Sequence, residues 1–220
     1  MKYLFSLITF LLILACQENT GPVGSLTNEE VNHPIINEFI AKNKAIGTQT
    51  PNLLDEGGGY SDWVELYNPG PKAINLSNYY LSDDRDSLYH FELRDTIIEA
   101  GEYYVLFANQ ELYSIDDITG DTISQYQNHA PFKLSYSCGD ELFLILKSDS
   151  SIVDSVIFDS GSPIYSELFV NESYGRILDG SDTWGPQNLA SPGSANNGRS
   201  ADPVQDINRD ANRVCIDPVI

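Results

Sequence analysis

Basic residues are scarce in this sequence: 12 Lys and Arg stand against 32 Asp and Glu, for a formal net charge of −20. Binding to phosphate backbones needs clustered Lys and Arg. No such cluster occurs, which argues against a nucleic-acid partner except through bridging divalent cations. Histidine is as sparse. His33, His90 and His129 lie in unrelated segments, and none stands at a metal-ligand spacing from another His or a Cys. The chain lacks a G-x-S-x-G elbow, a Walker loop and a G-x-G-x-x-G turn, so it carries no local signature of serine hydrolysis or nucleotide binding. Sustained 3.6-residue periodicity is missing too, which removes helical bundles and coiled coils from consideration. One Met stands against 13 Tyr and 9 Phe, a balance that leans towards sheet, since aromatics suit a pleated, half-buried surface.

What is present is a chain of 220 residues, 41% hydrophobic and 11% aromatic, enough apolar area for one core of ordinary size. The opening MKYLFSLITFLLILAC has one charge, Lys2, then an apolar run too short to span a bilayer well. Its end, Ile13-Leu14-Ala15-Cys16, resembles the lipobox of bacterial lipoproteins, so Cys16 is the expected lipidated residue and the expected link to a membrane. Residues 1–15 read as a lipoprotein signal peptide and 16–33 as a flexible tether, polar with Gly and Pro. Residues 34–198 read as one β domain and 199–220 as a short irregular tail.

Within 34–198 short apolar runs alternate with turns: Ile35–Ile40, Asp62–Asn68, Ala73–Leu76, Tyr79–Leu81, Leu88–Leu93, Tyr103–Ala108, Leu142–Leu146 and Ile152–Phe158. Several strands at this spacing predict an all-β sandwich. The stretch SDWVELYNPG is the densest of them. Alternate residues of a strand share a face, so Val64 and Leu66 point one way and Trp63, Glu65 and Tyr67 the other. Asp62 and Glu65, three apart, face opposite sides and make no carboxylate pair. Trp63 and Trp184 are read as packing residues rather than sugar-stacking platforms. His90 is read as a strand residue, and Arg176 as a structural partner for a carboxylate.

The segments Ile36-Asn37-Glu38-Phe39, Ser61 to Asn68 and Leu76 to Asp83 together resemble the opening of bacterial lamin tail domains. Ala100-Gly101-Glu102-Tyr103, Phe132-Lys133-Leu134-Ser135 and Gly139-Asp140-Glu141-Leu142 follow in order. Ser173-Tyr174-Gly175-Arg176, Asp179-Gly180, Trp184 and Ser191-Pro192-Gly193-Ser194-Ala195-Asn196 complete the series. The resemblance implies an immunoglobulin-like β-sandwich with no known catalytic centre, used as a binding or attachment module in secreted and surface proteins. The heptad rod of lamins is missing here, so filament formation does not carry over.

The sequence therefore predicts a lipid-anchored, non-catalytic binding or scaffold module of the bacterial cell envelope, periplasmic or surface-exposed, with a protein or glycan partner. The alternatives are a metal-dependent hydrolase using loop carboxylates and a purely structural envelope lipoprotein. The expected contact or calcium residues are Asp55, Glu56, Asp62, Asp83, Asp84 and Asp86, since loops on a rigid sandwich carry recognition. No cofactor is required, and calcium is the one ion the acidic loops suit. Asp206, Asn208, Asp210 and Asp217 fall at positions one, three, five and twelve of a calcium loop, but Ala211 replaces the turn glycine and Asp217 the bidentate Glu. Cys138 and Cys215, left over after lipidation, are a candidate disulfide in an oxidising compartment.

Overall fold

The computed structural model describes residues 32–44, 53–110, 114–115, 122–123, 128–164, 168, 170–187 and 189–198. In chain order the strands are β1 (Ile35–Ile40), β2 (Asp62–Tyr67), β3 (Ile74–Asn75), β4 (Tyr79–Ser82), β5 (Phe91–Glu92), β6 (Ile97–Ile98) and β7 (Tyr103–Ala108). They continue with β8 (Ser114–Ile115), β9 (Thr122–Ile123), β10 (His129–Ala130), β11 (Glu141–Leu146), β12 (Ile152–Ile157), β13 (Tyr174–Arg176) and β14 (Trp184–Pro186). One sheet runs β10-β7-β2-β1-β13-β14, the other β12-β11-β4-β5, and β3–β6 and β8–β9 form two small ladders. All pairings in the two main sheets are antiparallel except β10–β7. Together they make an immunoglobulin-like β-sandwich. Among the described residues no helix is long and apolar enough to cross a membrane.

Alternation along the strands builds the core. Ile36, Phe39, Val64, Leu66 and Leu106 of the larger sheet pack with Leu81, Leu142, Leu144 and Val156 of the smaller one. Phe158, just past β12, stacks on Phe39 at a centroid separation of 4.4 Å and joins the two sheets at one end. Burying one such side chain contributes about 1.5–3 kcal/mol.

The turn after β2 follows from its Asn-Pro-Gly sequence. Asn68 is fully buried, accepts from Gly70 N at 3.0 Å, and donates from Nδ2 to the carbonyls of Lys72 and Ile98. Two predicted strands are shorter than their apolar runs. At 73–76, the side chain of Asn75 caps a 3-10 turn over Leu76–Asn78 and ends β3. At 88–93, only Phe91 and Glu92 join the ladder. Ser82 Oγ donates between the carbonyls of Asp84 and Ser87 and holds that connection in turns, so His90 is a turn residue and not a strand residue.

One long edge is latched across the sandwich. Asp154, on edge strand β12, accepts from Ile36 N at 2.7 Å and takes both carboxylate bonds of Arg176 Nη2, at 3.0 and 2.9 Å. Arg176 also donates to the carbonyls of Ile36 and Ser181 and lies 5.0 Å from the Trp184 ring. An inward charge on an edge strand discourages pairing with a further chain, and here it also closes one sheet on the other.

Candidate functional site

The C-terminal ends of β1, β4, β7 and β12 gather at the end of the sandwich marked by Phe39 and Phe158. After β1, Asp55 anchors a tight turn. Its carboxylate accepts from Gly59 N at 2.7 Å and from Ser61 Oγ, and its backbone pairs with Gly58 and Gly59. Burial works against its ionisation, but the bonds from Ser61 and Gly59 hold its pKa below the ordinary value. Asp62 accepts from Asn43 N at 3.1 Å, and burial pushes its pKa up to about 6. Asn43 ties the same loop shut through the carbonyls of Leu53 and Ser61. Glu56 is exposed and meets Nε2 of the buried His129 at 2.7 Å. Asn109 Nδ2 lies 2.8 Å from the other ring nitrogen. The Nε2–H tautomer satisfies both contacts, with His129 donating to Glu56 and accepting from Asn109.

After β4, Asp83 meets His90 Nδ1 at 2.9 Å. Asp84 accepts from Asp86 N at 2.8 Å, fixing its own turn, and Arg85 forks onto Glu141. Burial raises Asp140 to about 6, helped by repulsion from Asp83 and Glu141. The six acids named from sequence thus sit at two separately braced places, Asp55, Glu56 and the first residue of β2, Asp62, at one, and Asp83, Asp84 and Asp86 at the other. Among the described residues no three His, Cys, Asp or Glu groups come together as a metal site. The Glu56–His129 pair is invisible to spacing, because 73 residues separate the two, whereas Asp83 and His90 are seven apart within one connection.

A second polar centre lies on the outer face of the larger sheet, where sequence reasoning placed no site. Glu38 and Glu65 are Cα partners on β1 and β2, and both are fully buried. A register shift between Ile36 and Glu38 turns Asn37 and Glu38 out of the alternation. Residues 189–198 strap over them. Glu38 accepts from Ser173 Oγ, from Ser191 N at 3.1 Å and from Ser191 Oγ at 2.9 Å. Glu65 accepts from Asn37 Nδ2 at 3.0 Å and Gly193 N at 2.7 Å. Gly193 has φ +75°, a left-handed conformation that glycine adopts without strain, and this aims its N–H at the carboxylate. Asn196 donates to the carbonyls of Asn37 and Arg176, and its backbone N donates to Asp179. Gly175 lets β1 and the strap both come close: a Cβ there would meet Asn37 O at 2.8 Å and Asn196 Nδ2 at 3.1 Å. Burial pushes Glu65 up to about 8 and raises Glu38 as well. The same strap brings Ala190 onto Ile40, Trp63 and Phe107, a small outer apolar cluster. Trp63 is thus a packing residue, as read from sequence, and Trp184 stacks beside Tyr174. The available signal was a Glu inside an apolar strand run, flanked on both sides in Val64-Glu65-Leu66 and on one side in Glu38-Phe39-Ile40.

Cys138 is disulfide-bonded. Cys16, Cys215, Asp206, Asn208, Asp210 and Asp217 lie outside the described residues.

Comparison with known proteins adds one match and two blanks. The family model described as Lamin Tail Domain matches residues 28–159, more than half of the chain. No curated protein and no solved structure matches. The matched segment stops short of β13, β14 and the strap, yet β13 pairs with β1 inside the larger sheet.

Proposed function

The chain belongs to the lamin tail domain family, and from that premise we propose that it is a lipid-anchored, extracytoplasmic binding or scaffold module of the bacterial cell envelope. Immunoglobulin-like domains of this family are generally non-catalytic binding or structural modules. The observation that carries the binding reading is the use made of the loop acids. Asp55, Asp62, Asp83 and Asp84 each brace the loop that holds them or its neighbour. The connections at this end therefore stand as shaped surfaces on a rigid sandwich, the usual arrangement for recognition. Their charge suits a cationic protein or a calcium-bridged glycan. Calcium, in this reading, adds stability and no chemistry, and melting with calcium or with chelator measures it.

The hydrolase alternative is a metal-dependent one using loop carboxylates; among the described residues no three such groups come together as a metal site, and Asp83 and Glu56 pair with histidines instead. Both ring nitrogens of His129 are engaged, by Glu56 and Asn109, and its side chain is 1% exposed. A histidine so held positions a loop instead of shuttling protons to a substrate.

Anchoring rests on the Lys2, apolar run and Ala15-Cys16 series. Cys16→Ala should move the protein from the membrane fraction to the soluble fraction, because acyl chains supply the hold. A Cys16→Ala protein that still sediments with membranes refutes the anchor. Replacing Asp83, Asp84 and Asp86 with Asn should weaken cross-linking to envelope components without unfolding the domain. Hydrolytic activity of the purified protein, abolished by one carboxylate change, would overturn the non-catalytic reading.

A further inference from the structure

Along the outer side of edge strand β5 the surface opens into a groove of about 670 Å³, lined in part by Tyr80, Tyr89, His90, Glu92, Arg94 and Asp95. The strand register sets it up. Tyr80 is opposite Glu92 and Leu81 opposite Phe91. Leu81 and Phe91 are buried in the core, so alternation turns Tyr80 and Glu92 outwards. One lysine then fixes both. Lys147 Nζ sits 4.9 Å from the Tyr80 ring centroid, pairs with Glu92, and donates to Ser77 O at 2.6 Å. Tyr89 meets Tyr80 edge-on, with centroids 5.3 Å apart and planes at 65°. It nonetheless remains 58% exposed. A large aromatic ring is thus held against a rigid partner while its surface stays open to solvent.

The charges in the groove nearly balance. Glu92 is matched by Lys147, while Asp95 is held by Asn75 Nδ2 at 2.8 Å and Arg94 is exposed beside them. On a chain of net charge −20, this patch selects neither a cation nor an anion. It offers an aromatic surface for C–H stacking, flanked by fixed carboxylates and a guanidinium that accept from and donate to hydroxyls. That combination matches a sugar ring. We propose that the β4–β5 groove is a binding subsite for an uncharged oligosaccharide, stacked on Tyr89 and hydrogen-bonded through Glu92, Arg94 and Asp95. This rests on the binding-module reading and names the ligand class at one place in it, beside the acidic Asp83–Asp86 turn.

The test is calorimetric titration of the full chain with cellohexaose, maltohexaose and chitohexaose. At least one should bind with a Kd below about 1 mM. Tyr89→Ala should weaken that binding about tenfold or more, and Tyr89→Phe should hold it within about threefold, because stacking survives the loss of the hydroxyl. Tyr60→Ala, which removes an exposed tyrosine of the β1–β2 connection, should leave binding unchanged, and melting curves of all three variants check folding. Failure of all three sugars, or binding indifferent to Tyr89→Ala, overturns the proposal, as does capture of an extended peptide along β5 without sugar binding. If the sugars fail while Asp83-dependent cross-linking persists, the groove assignment falls and the module reading stands. If a sugar binds and is hydrolysed, the non-catalytic reading falls and the groove stands.

Discussion

Replacing Glu65 with Gln should flatten the dependence of stability on alkaline pH. In the folded protein Glu65 lies fully buried opposite Glu38, with Asp179 close enough to repel it. Its bonding partners, Asn37 and Gly193, are neutral. Burial raises its pKa from 4.5 to about 8, with the charges of Glu38 and Asp179 adding to the effect. The unfolded chain gives up this proton near the ordinary value, whereas the native state keeps it until about pH 8. The stabilisation is therefore complete below about pH 4.5 and is lost as pH rises, levelling off above about pH 8. The full displacement corresponds to about 5 kcal/mol, a large share of the ~5–15 kcal/mol that holds a typical domain together. Asp62 and Asp140, each raised to about 6, act with the same sign at lower pH. The window from about pH 6.5 to 8.5 isolates the buried pair, and across it the wild type should lose about 2 kcal/mol. Glu38, also raised, adds to the loss in the same direction. Gln keeps the volume and one acceptor and loses the ionisation. It turns an amide N–H₂ towards one of the two donors, at a cost of about 1 kcal/mol at low pH. Urea denaturation at a series of pH values, followed by tryptophan fluorescence, measures the slopes. A wild-type stability that is level or rising between pH 6.5 and 8.5 would refute the reasoning, as would equal slopes in wild type and variant.

Arg176→Ala strands Asp154 and removes the donors to the Ile36 and Ser181 carbonyls, so it should cost about 3–5 kcal/mol in denaturant unfolding; a loss under about 1 kcal/mol contradicts the latch. Gly193→Ala strains a left-handed turn and should cost about 1–2 kcal/mol, read as a lower melting temperature with faster amide exchange at Gly193. For the bonded Cys138, the partner expected from sequence is Cys215. Peptide mapping without reduction should recover the two as one linked peptide, and a Cys138 peptide joined elsewhere rejects the pairing.

The all-β class, the main strands and the inward side of each were legible in the chain alone, because period-two alternation is a local property. Val64 and Leu66 had to share a side whatever their partners were. The family was legible for a related reason: its short motifs are mostly turn and strand residues, such as Asn68-Pro69-Gly70, whose conformations are set within a few positions. The lipobox reading of Cys16 is local as well, and the structural description does not reach it. Tertiary structure decided what depends on register and long-range closure. Glu38 faces Glu65 because a bulge re-aims one strand by a residue, a shift no composition encodes. The strap reaches Glu38 from Ser191, 153 residues away, and turns the outer side of a sheet, which alternation alone marks as solvent-facing, into a second buried layer. Strands of two or three residues, such as β10, β13 and β14, have no pattern long enough to read and exist because a neighbour templates them. The Glu56–His129 pair is of the same kind: 73 residues separate its members, and only the packed sandwich brings them within reach. Asp83–His90 and the aromatic groove are more local, set by one turn and by the pairing of β4 with β5.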